Sequence, residues 1–338
     1  MQVTRIGLDI AKSVFQVHGV DEHGKVVTRK QLSRSKVLAY FAQLPVCRIG
    51  IEACGSAHYW GRELQKLGHE VRLMAVQLIK PYRTKQKNDR NDAEAICEAV
   101  SRPQMRFVPI KTVEQQAVLT VHRAGELLVS ERTAVANQIR GLLLEYGVAI
   151  AAGIQRLRRE LPAVLGATDA TLPTLARRVV EELQTRSREL DERITGHDQQ
   201  IAQLATQSEA AQRLMAVEGV GPITATAVIA TVGDAKAFPH GRQFAAWLGL
   251  VPKQFSTGGK SVLGRITKQG NVYLRTLLIH GARTVLQSTA QRTDAKSQWV
   301  EALRQRRGDN IAAVALAAKH ARILWALLAG GQEYRGAA

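Results

Sequence analysis

Arg5-Ile6-Gly7-Leu8-Asp9-Ile10 is a strand-like run with one acid in an apolar setting, and it decides how the first hundred residues are read. A second strand-like run follows from Ser13 to Val20. The turn residues Asp21-Glu22-His23-Gly24 then return the chain into a third strand from Lys25 to Leu32. Three antiparallel strands therefore precede the first helix.

Helices and strands alternate after these three strands. We expect a helix from about Ser35 to Gln43, an apolar strand from Cys47 to Glu52, a helix from Ser56 to Leu67, and a strand from Glu70 to Met74. The resulting order βββαβαβα predicts a ribonuclease H-like, or RuvC-like, α/β domain.

Two long amphipathic helices are predicted next. Apolar residues recur at intervals of three, four and seven between about Val113 and Tyr146, and again between Leu172 and Leu204. A break rich in Gly and Pro separates the two runs. We interpret them as a coiled-coil connector without chemistry, folded as a hairpin or forming a dimer seam. Shorter helices with Gly-rich corners follow, so the predicted domains are 1–110, 111–208 and a mostly helical 209–332.

The charge balance favours a polyanionic partner. Lys and Arg number 47 against 29 Asp and Glu, a formal net charge of +18. Such an excess is typical of nucleic-acid binding, although it also suits anionic membranes. A membrane span is not expected, because the best candidate, Ile311 to Leu328, is interrupted by Lys319, His320 and Arg322. The start of the chain does not resemble a leader, so we expect a cytoplasmic protein, and its three cysteines are interpreted as reduced apolar fillers.

Four carboxylates are candidates for a metal site. Asp9 and Glu52 each end or interrupt an apolar strand, and these two strands are neighbours in the predicted sheet. Asp89 and Asp92 stand three apart at a helix start and so share a helix face. Together they would bind two divalent cations, expected to be Mg²⁺, at a scissile phosphate. The alternative is that each acid is an ordinary helix cap or strand end.

Cationic and glycine-rich segments suggest contacts with a nucleic-acid backbone. Lys85, Lys87 and Arg90 belong to a basic run beside two of the acids. The segment around Gly219 and Gly221 reads as helix, Gly-x-Gly corner and helix, a helix-hairpin-helix signature that offers backbone N–H groups to phosphate. A purely structural helix corner is the alternative.

A flexible, hydroxyl-rich loop is expected from Lys253 to Asn271. Its residues Lys253, Lys260, Arg265 and Lys268 suit phosphate binding. The hydroxyls of Ser256, Thr257 and Ser261 are all possible nucleophiles, because a hydroxyl beside cations can attack phosphorus. Chemistry alone does not choose among them.

The chain resembles the insertion sequence 110 family of DEDD transposases, and within it the 1111 subgroup. Three segments show the resemblance: Ile6 to Lys12, Lys87 to Ala93, and the block from Ser256 to Asn271 followed by Tyr273-Leu274-Arg275. The resemblance implies a RuvC-like domain with the four acids, a coiled-coil connector, and a C-terminal transposase domain with a catalytic serine. Ser256 matches that serine best, and Ser261 is the alternative because Thr257 intervenes before the glycines.

Members of that family are recombinases guided by a structured noncoding RNA that base-pairs with donor and target DNA. The resemblance therefore implies an RNA-guided transposase that cuts and rejoins DNA through a phosphoserine link. Because strand exchange handles two duplexes, we expect a homodimer or homotetramer. Two rival hypotheses are a RuvC-like structure-selective nuclease, which needs no serine, and a non-enzymatic basic nucleic-acid-binding protein.

Overall fold

A computed structural model describes residues 2–83, 88–167 and 172–334 of the chain. These residues form two compact units. The first comprises the described residues up to 116 together with 232–237, and the second comprises the described residues of 117–231 and 238–334. The division of the chain at residues 110 and 208 stays a prediction.

The first unit is a mixed sheet with helices packed on it. Its elements in chain order are β1 (Arg5–Ile10), β2 (Val14–Val20), β3 (Val26–Ser33), α1 (Val37–Ala42), β4 (Arg48–Glu52), α2 (Ala57–Lys66), β5 (Glu70–Met74), α3 (Val76–Ile79), α4 (Asp89–Ala99) and β6 (Phe107–Val108). The sheet order is β3-β2-β1-β4-β5-β6. β1 pairs antiparallel with β2 and parallel with β4, and β4 pairs parallel with β5. The predicted antiparallel start and the alternation after it are confirmed.

The core of this unit lies between the sheet and α1 and α2. Alternation along β1 and β2 sends large apolar side chains to this face, where Phe15 packs edge-on against Trp60 with 5.0 Å between ring centroids. Phe41 of α1 and Leu64 of α2 are fully buried in the same cluster. Helices α1 and α2 cover this face of the sheet. The opposite face is covered by α4, which contacts β1 at Gly7.

The second unit begins with the predicted pair of long helices. These are α5 (Val113–Leu144) and α7 (Thr174–Thr206), with α6 (Ile154–Gly166) between them. Arg132 of α5 pairs with Asp191 of α7 at 3.0 Å, while Gly125 lies beside His197. Residue numbers rise along one helix as they fall along the other, so the two helices run antiparallel within one chain. The predicted hairpin is therefore observed, and a dimer seam along these helices stays a prediction.

The rest of the second unit is helical apart from one pair of strands. Its elements are α8 (Glu209–Met215), α9 (Pro222–Val232), α10 (Gly241–Trp247), β7 (Pro252–Thr257), β8 (Lys260–Ile266), α11 (Val272–Leu286), α12 (Ala295–Arg307) and α13 (Asp309–Gly330). By length and composition α13 alone among the described helices could cross a membrane. Its Leu316, His320 and Leu324 are buried, and Trp325 donates to the Phe238 carbonyl at 3.1 Å, as in a core helix.

Candidate active site

Asp9 and Glu52 lie at the carboxyl ends of two adjacent parallel strands. Leu8 of β1 is in register with Ile51 of β4, so the two acids that follow these residues are neighbours. Both carboxylates are partly buried. The sequence-based prediction that the strands of Asp9 and Glu52 lie side by side is confirmed.

Helix α4 brings two more acids to the same end of the sheet. The Asn88 side chain caps the helix by accepting from the Asn91 N–H at 2.8 Å, which leaves Asp89 and Asp92 in its first turn. Negative charge is favoured there by the helix dipole. The N-terminal turn of α4 is therefore an acidic edge.

Close backbone contact fixes where this edge lies. A Cβ on Gly7 would be 2.0 Å from the Ala93 carbonyl oxygen and 2.4 Å from the Cys97 nitrogen, so α4 rests directly on β1. Cys97 is also 3.9 Å from the Arg5 carbonyl, which shows that α4 runs opposite to β1. Because α4 runs this way, its first turn is directed toward the Asp9 end of the strand.

Electrostatic coupling among the four acids is visible at Asp9. The pKa of Asp9 is raised from 3.8 to about 6, chiefly by burial and then by the charges of Asp89, Asp92 and Glu52, in that order. Burial, with smaller effects of Glu52 and Asp9, also raises the pKa of the nearby Cys54 thiol. The four acids thus form one electrostatic cluster, called here the acid cluster.

The donors of the acid cluster fit a hard divalent cation, since all four are carboxylates. Such a cation would offset the repulsion that raises the Asp9 pKa. Within the described ranges, however, no three His, Cys, Asp or Glu side chains converge as a preformed metal site. The Arg83 guanidinium instead lies 2.5 Å from Asp92 Oδ1 and neutralises one of the acids. The sequence analysis did not anticipate this ion pair.

The basic run itself is only partly described. Arg90 is exposed on the first turn of α4, where it is accessible to a phosphate. Lys85 and Lys87 lie outside the described residues.

The predicted serine loop is a β-hairpin instead. β7 and β8 pair antiparallel with Ser256 opposite Ser261 and Thr257 opposite Lys260. Gly258 and Gly259 form its two-residue turn, with φ of 55° and 76°. Positive φ at both turn positions matches the twist of a two-stranded ribbon, which is why paired glycines favour a hairpin over a flexible loop.

Both candidate serines lie on one face of this hairpin. Cross-strand partners share a face, and the exposed Gln254 lies two residues before Ser256 on that face. Gln254 Nε2 donates to Ser256 Oγ at 2.8 Å and to Ser261 Oγ at 3.3 Å. The sequence analysis missed Gln254. Its spacing of two residues from Ser256 puts both side chains on one face, but only if the segment is a strand.

The predicted phosphate-binding cations of the hairpin are all exposed: Lys253, Lys260 and Arg265 on its strands and Lys268 just after them. No acidic residue occurs between Ala235 and Thr293, whereas nine lysines and arginines do. The hairpin therefore presents its hydroxyls in a cationic setting.

A buried arginine ties the two ends of the hairpin together. Arg275 of α11 is 8% exposed, and its Nη1 donates to the Leu248 carbonyl at 3.0 Å and to the Gln269 carbonyl at 3.1 Å. Gly270 closes the same junction, since a Cβ there would be 1.8 Å from the Trp247 carbonyl oxygen. The hairpin consequently projects from a rigid base.

The two glycines of the predicted helix-hairpin-helix differ in role. Gly219 has φ of 76°, and a Cβ on it would lie 2.5 Å from the Gly281 carbonyl oxygen of α11. Gly219 thus serves the packing of this corner against α11, and its contact with a phosphate stays a prediction. A Cβ on Gly221 would meet no heavy atom of the described residues within 4 Å, and this exposed glycine directly precedes α9.

Comparison with known families identifies two regions of similarity. A family model for the DEDD transposase domain of IS110 elements, described as a transposase, matches residues 6–148. A model described as the transposase IS116/IS110/IS902 family matches residues 211–298. The first match includes all four acids, and the second includes the hairpin and Arg275.

Similar proteins extend over nearly the whole chain. A probable family 20 transposase of Pseudomonas aeruginosa is 54% identical, covering 99% of this chain and 99% of that protein. The transposase for insertion sequence element IS1111A of Coxiella burnetii is 46% identical, covering 98% and 91%. The transposase for IS1328 of Yersinia enterocolitica is 38% identical, covering 98% of each chain.

Proposed function

The chain belongs to the IS116/IS110/IS902 family of insertion-sequence transposases, which are enzymes that cut and rejoin DNA. From this membership we propose that its DNA cleavage proceeds through a covalent serine–phosphate intermediate. The observation that best supports an active centre in the first unit is the acid cluster, where burial and three neighbouring acids raise the Asp9 pKa to about 6. The transposase membership removes the non-enzymatic alternative.

The first unit is proposed to be a RuvC-like nuclease fold. Its support is the order of the sheet, with β1 antiparallel to β2 and parallel to β4, and acids at the carboxyl ends of β1 and β4. Asp9, Glu52, Asp89 and Asp92 would hold the divalent metal, for which we propose Mg²⁺ because the donors are carboxylates. When bound, the metal supplies charge stabilisation to the phosphate undergoing displacement.

Ser256 is the proposed nucleophile. Its Oγ would form a bond to phosphorus while one P–O bond to deoxyribose breaks; the serine loses its proton and the leaving deoxyribose hydroxyl gains one. In the second step a deoxyribose hydroxyl of the other duplex attacks the phosphoserine, and the serine recovers its hydroxyl. Each step breaks one phosphoester bond and forms another, so rejoining needs no external energy source.

The hydrogen bonds of Gln254 favour Ser256 over Ser261 as the nucleophile. Both hydroxyls contact Gln254, but the contact to Ser256 is shorter, 2.8 Å against 3.3 Å. An amide that fixes the direction of Oγ reduces the orientational freedom lost on attack. Ser261 would then be an auxiliary polar group on the same face.

We propose that a noncoding guide RNA selects the DNA sites for recombination by base-pairing with donor and target DNA. A protein of net charge +18 can hold such duplexes by shape and backbone charge without reading bases. Arg90, the N–H of Gly221 and the hairpin cations Lys253, Lys260, Arg265 and Lys268 are the proposed backbone contacts in the described residues, and Lys85 and Lys87 are proposed from sequence. Because two duplexes must be held together, the working form is proposed to be a homodimer or homotetramer.

Recombination with purified full-length protein, donor and target DNA and the RNA of its element tests this proposal. Wild type is expected to give recombined DNA and a covalent adduct that survives denaturing electrophoresis and maps to Ser256 by mass spectrometry. Ser256→Ala should abolish both products, and Ser261→Ala should retain them. Omitting the RNA should abolish recombination.

The same assay distinguishes the rival nuclease. Asp9→Asn should remove cleavage while leaving DNA binding intact, in either mechanism. A Ser256→Ala variant that still cuts DNA, releases hydrolysed ends and forms no adduct would establish a RuvC-like nuclease without a serine step.

A further inference from the structure

The hairpin has a second face, opposite the two serines. Residues alternate between the faces of a strand, so Phe255 of β7 and its cross-strand partner Val262 of β8 lie together on the side away from Ser256. Phe255 is 63% exposed and Val262 is 61% exposed. We call this the apolar face.

The aromatic ring on this face is supported from below by glycine. A Cβ on Gly264 would lie 3.5 Å from Phe255 Cε2, so the ring covers the backbone at Gly264. The absence of a side chain at that position lets the ring approach the backbone there. Most of Phe255 remains exposed and accessible to a planar partner.

Cations flank the apolar pair on the same side of the ribbon. Lys260 is the register partner of Thr257, which alternation puts on the Phe255 side. The Lys253 Cβ is 3.9 Å from the Cβ position of Gly264, so Lys253 also lies on this side. Along the ribbon the face therefore reads cation, apolar pair, cation.

This order matches the chemistry of a nucleic-acid strand. Bases stack on aromatic rings, and phosphates on either side of a base pair with lysine ammonium groups. A purely apolar protein partner would not use two lysines at the ends of the patch. The acid-free stretch from Ala235 to Thr293 further favours a polyanionic partner over a basic or neutral one.

We infer that the apolar face binds a nucleic-acid strand, with a nucleobase stacked on Phe255 beside Val262 and the flanking phosphates paired with Lys253 and Lys260. The inference rests on the nucleic-acid substrate of a transposase and is independent of Ser256 as nucleophile. It assigns opposite faces of one ribbon to two tasks, strand binding and hydroxyl presentation.

Fluorescence anisotropy with the full-length protein and a fluorescein-labelled single-stranded oligonucleotide tests the inference. Phe255→Ala is expected to weaken binding about 10-fold with an unchanged salt dependence, since stacking releases no counterions. Lys253→Ala and Lys260→Ala should each reduce the slope of log affinity against log salt by roughly 0.7. Phe255→Trp should restore binding, because it retains an aromatic surface.

Two controls keep a failed inference separate from a failed mechanism. Leu175→Ala removes a side chain that is 75% exposed on α7 and should leave binding unchanged. Leu127→Ala removes a side chain that is 60% exposed on α5 and should also bind like wild type. Because the assay measures binding alone, its outcome does not depend on whether Ser256 is the nucleophile. Wild-type affinity in Phe255→Ala or in Phe255→Leu would overturn the inference. So would a change of sedimentation mass in Phe255→Ala without nucleic acid, which would assign the face to a second copy of the chain.

Discussion

Asp9 is where the energetic cost of gathering four acids is measurable. Its pKa of about 6 in the folded protein exceeds the usual 3.8, so the folded state holds this proton more tightly than the unfolded state does. Stability from this group is therefore greatest below about pH 4, falls as the pH rises through the interval to about 6, and stays reduced above it.

Asp9→Asn is accordingly predicted to stabilise the first unit at neutral pH without divalent ions. We expect a gain of about 1–2 kcal/mol at pH 7, smaller than the full pKa shift implies because solvent screens this half-buried group, and it should vanish near pH 4 because the variant lacks the ionised carboxylate. Hydrogen exchange of the β1 and α4 amides in both proteins measures this gain in stability. Mg²⁺ added to wild type should narrow the difference, and a gain that is the same at pH 4 and pH 7 would contradict the prediction.

Gln254 is predicted to act by positioning the Ser256 hydroxyl. Gln254→Ala should slow adduct formation about 5-fold while the affinity for DNA stays at the wild-type value, since a net hydrogen bond contributes ~1 kcal/mol. Single-turnover adduct formation at saturating protein separates the two quantities. Ser261→Ala, which leaves the shorter contact intact, is the matched control. Equal rates in wild type and Gln254→Ala would refute a positioning role.

Among the secondary-structure elements, periodicity predicts the long helices and the strands well. The bounds of β4 and β5 and the antiparallel start of the sheet follow from short apolar runs separated by turn residues. The hairpin from Pro252 to Ile266 is predicted wrongly as a loop, because exposed strands contain polar and apolar residues on both faces. Its paired glycines, with positive φ at both positions, are the signal that favours a hairpin.

The corner between α8 and α9 is predicted to need glycine at one position and not at its neighbour. Gly219→Ala should lower the free energy of unfolding by about 2 kcal/mol or more, because φ is 76° and the new methyl would meet the Gly281 carbonyl. Gly221→Ala should change it by less than about 0.5 kcal/mol, since its Cβ position is open. Urea denaturation of both variants checks this, and equal losses would mean that the contact with α11 is not limiting.

The base of the hairpin is predicted to depend on Arg275. Arg275→Met retains the apolar stem but leaves the Leu248 and Gln269 carbonyls without their donor, at a cost of about 2 kcal/mol. Limited proteolysis should then cleave the hairpin faster than in wild type. Arg283→Met, which loses only an exposed bond to Asn310, serves as the control. Unchanged proteolysis of Arg275→Met would show that the glycine junction alone holds the base.

For the molecule as a whole, charge is the property that sequence predicts most directly. With a net charge of +18, affinity for duplex DNA should fall steeply with salt, with a log–log slope steeper than about −4. Titrations at several salt concentrations measure the slope. Arg90→Gln should make it shallower by roughly one, and a wild-type slope near zero would exclude backbone charge as the main source of affinity.

What composition and spacing do not predict are contacts that depend on how the elements pack against one another. The adjacency of Asp9 and Glu52 follows from the strand order, and Asp89 and Asp92 share a face by their spacing. The ion pair of Arg83 with Asp92 and the contact of Gly219 with Gly281 depend instead on how helices pack. Each contact depends on the exact position of one element against another, which no pattern of residue types encodes.

The antiparallel course of α5 and α7 has a consequence for how such chains can diverge. Arg140 near the end of α5 bonds the Gly153 carbonyl, and Leu143, Leu157 and Leu161 form a small core at the tip of the hairpin. A helical pair that leaves and returns can gain or lose matched turns near this tip without shifting the register at its open end. The tip is therefore the natural place for length variation, and also for grafting a reporter domain.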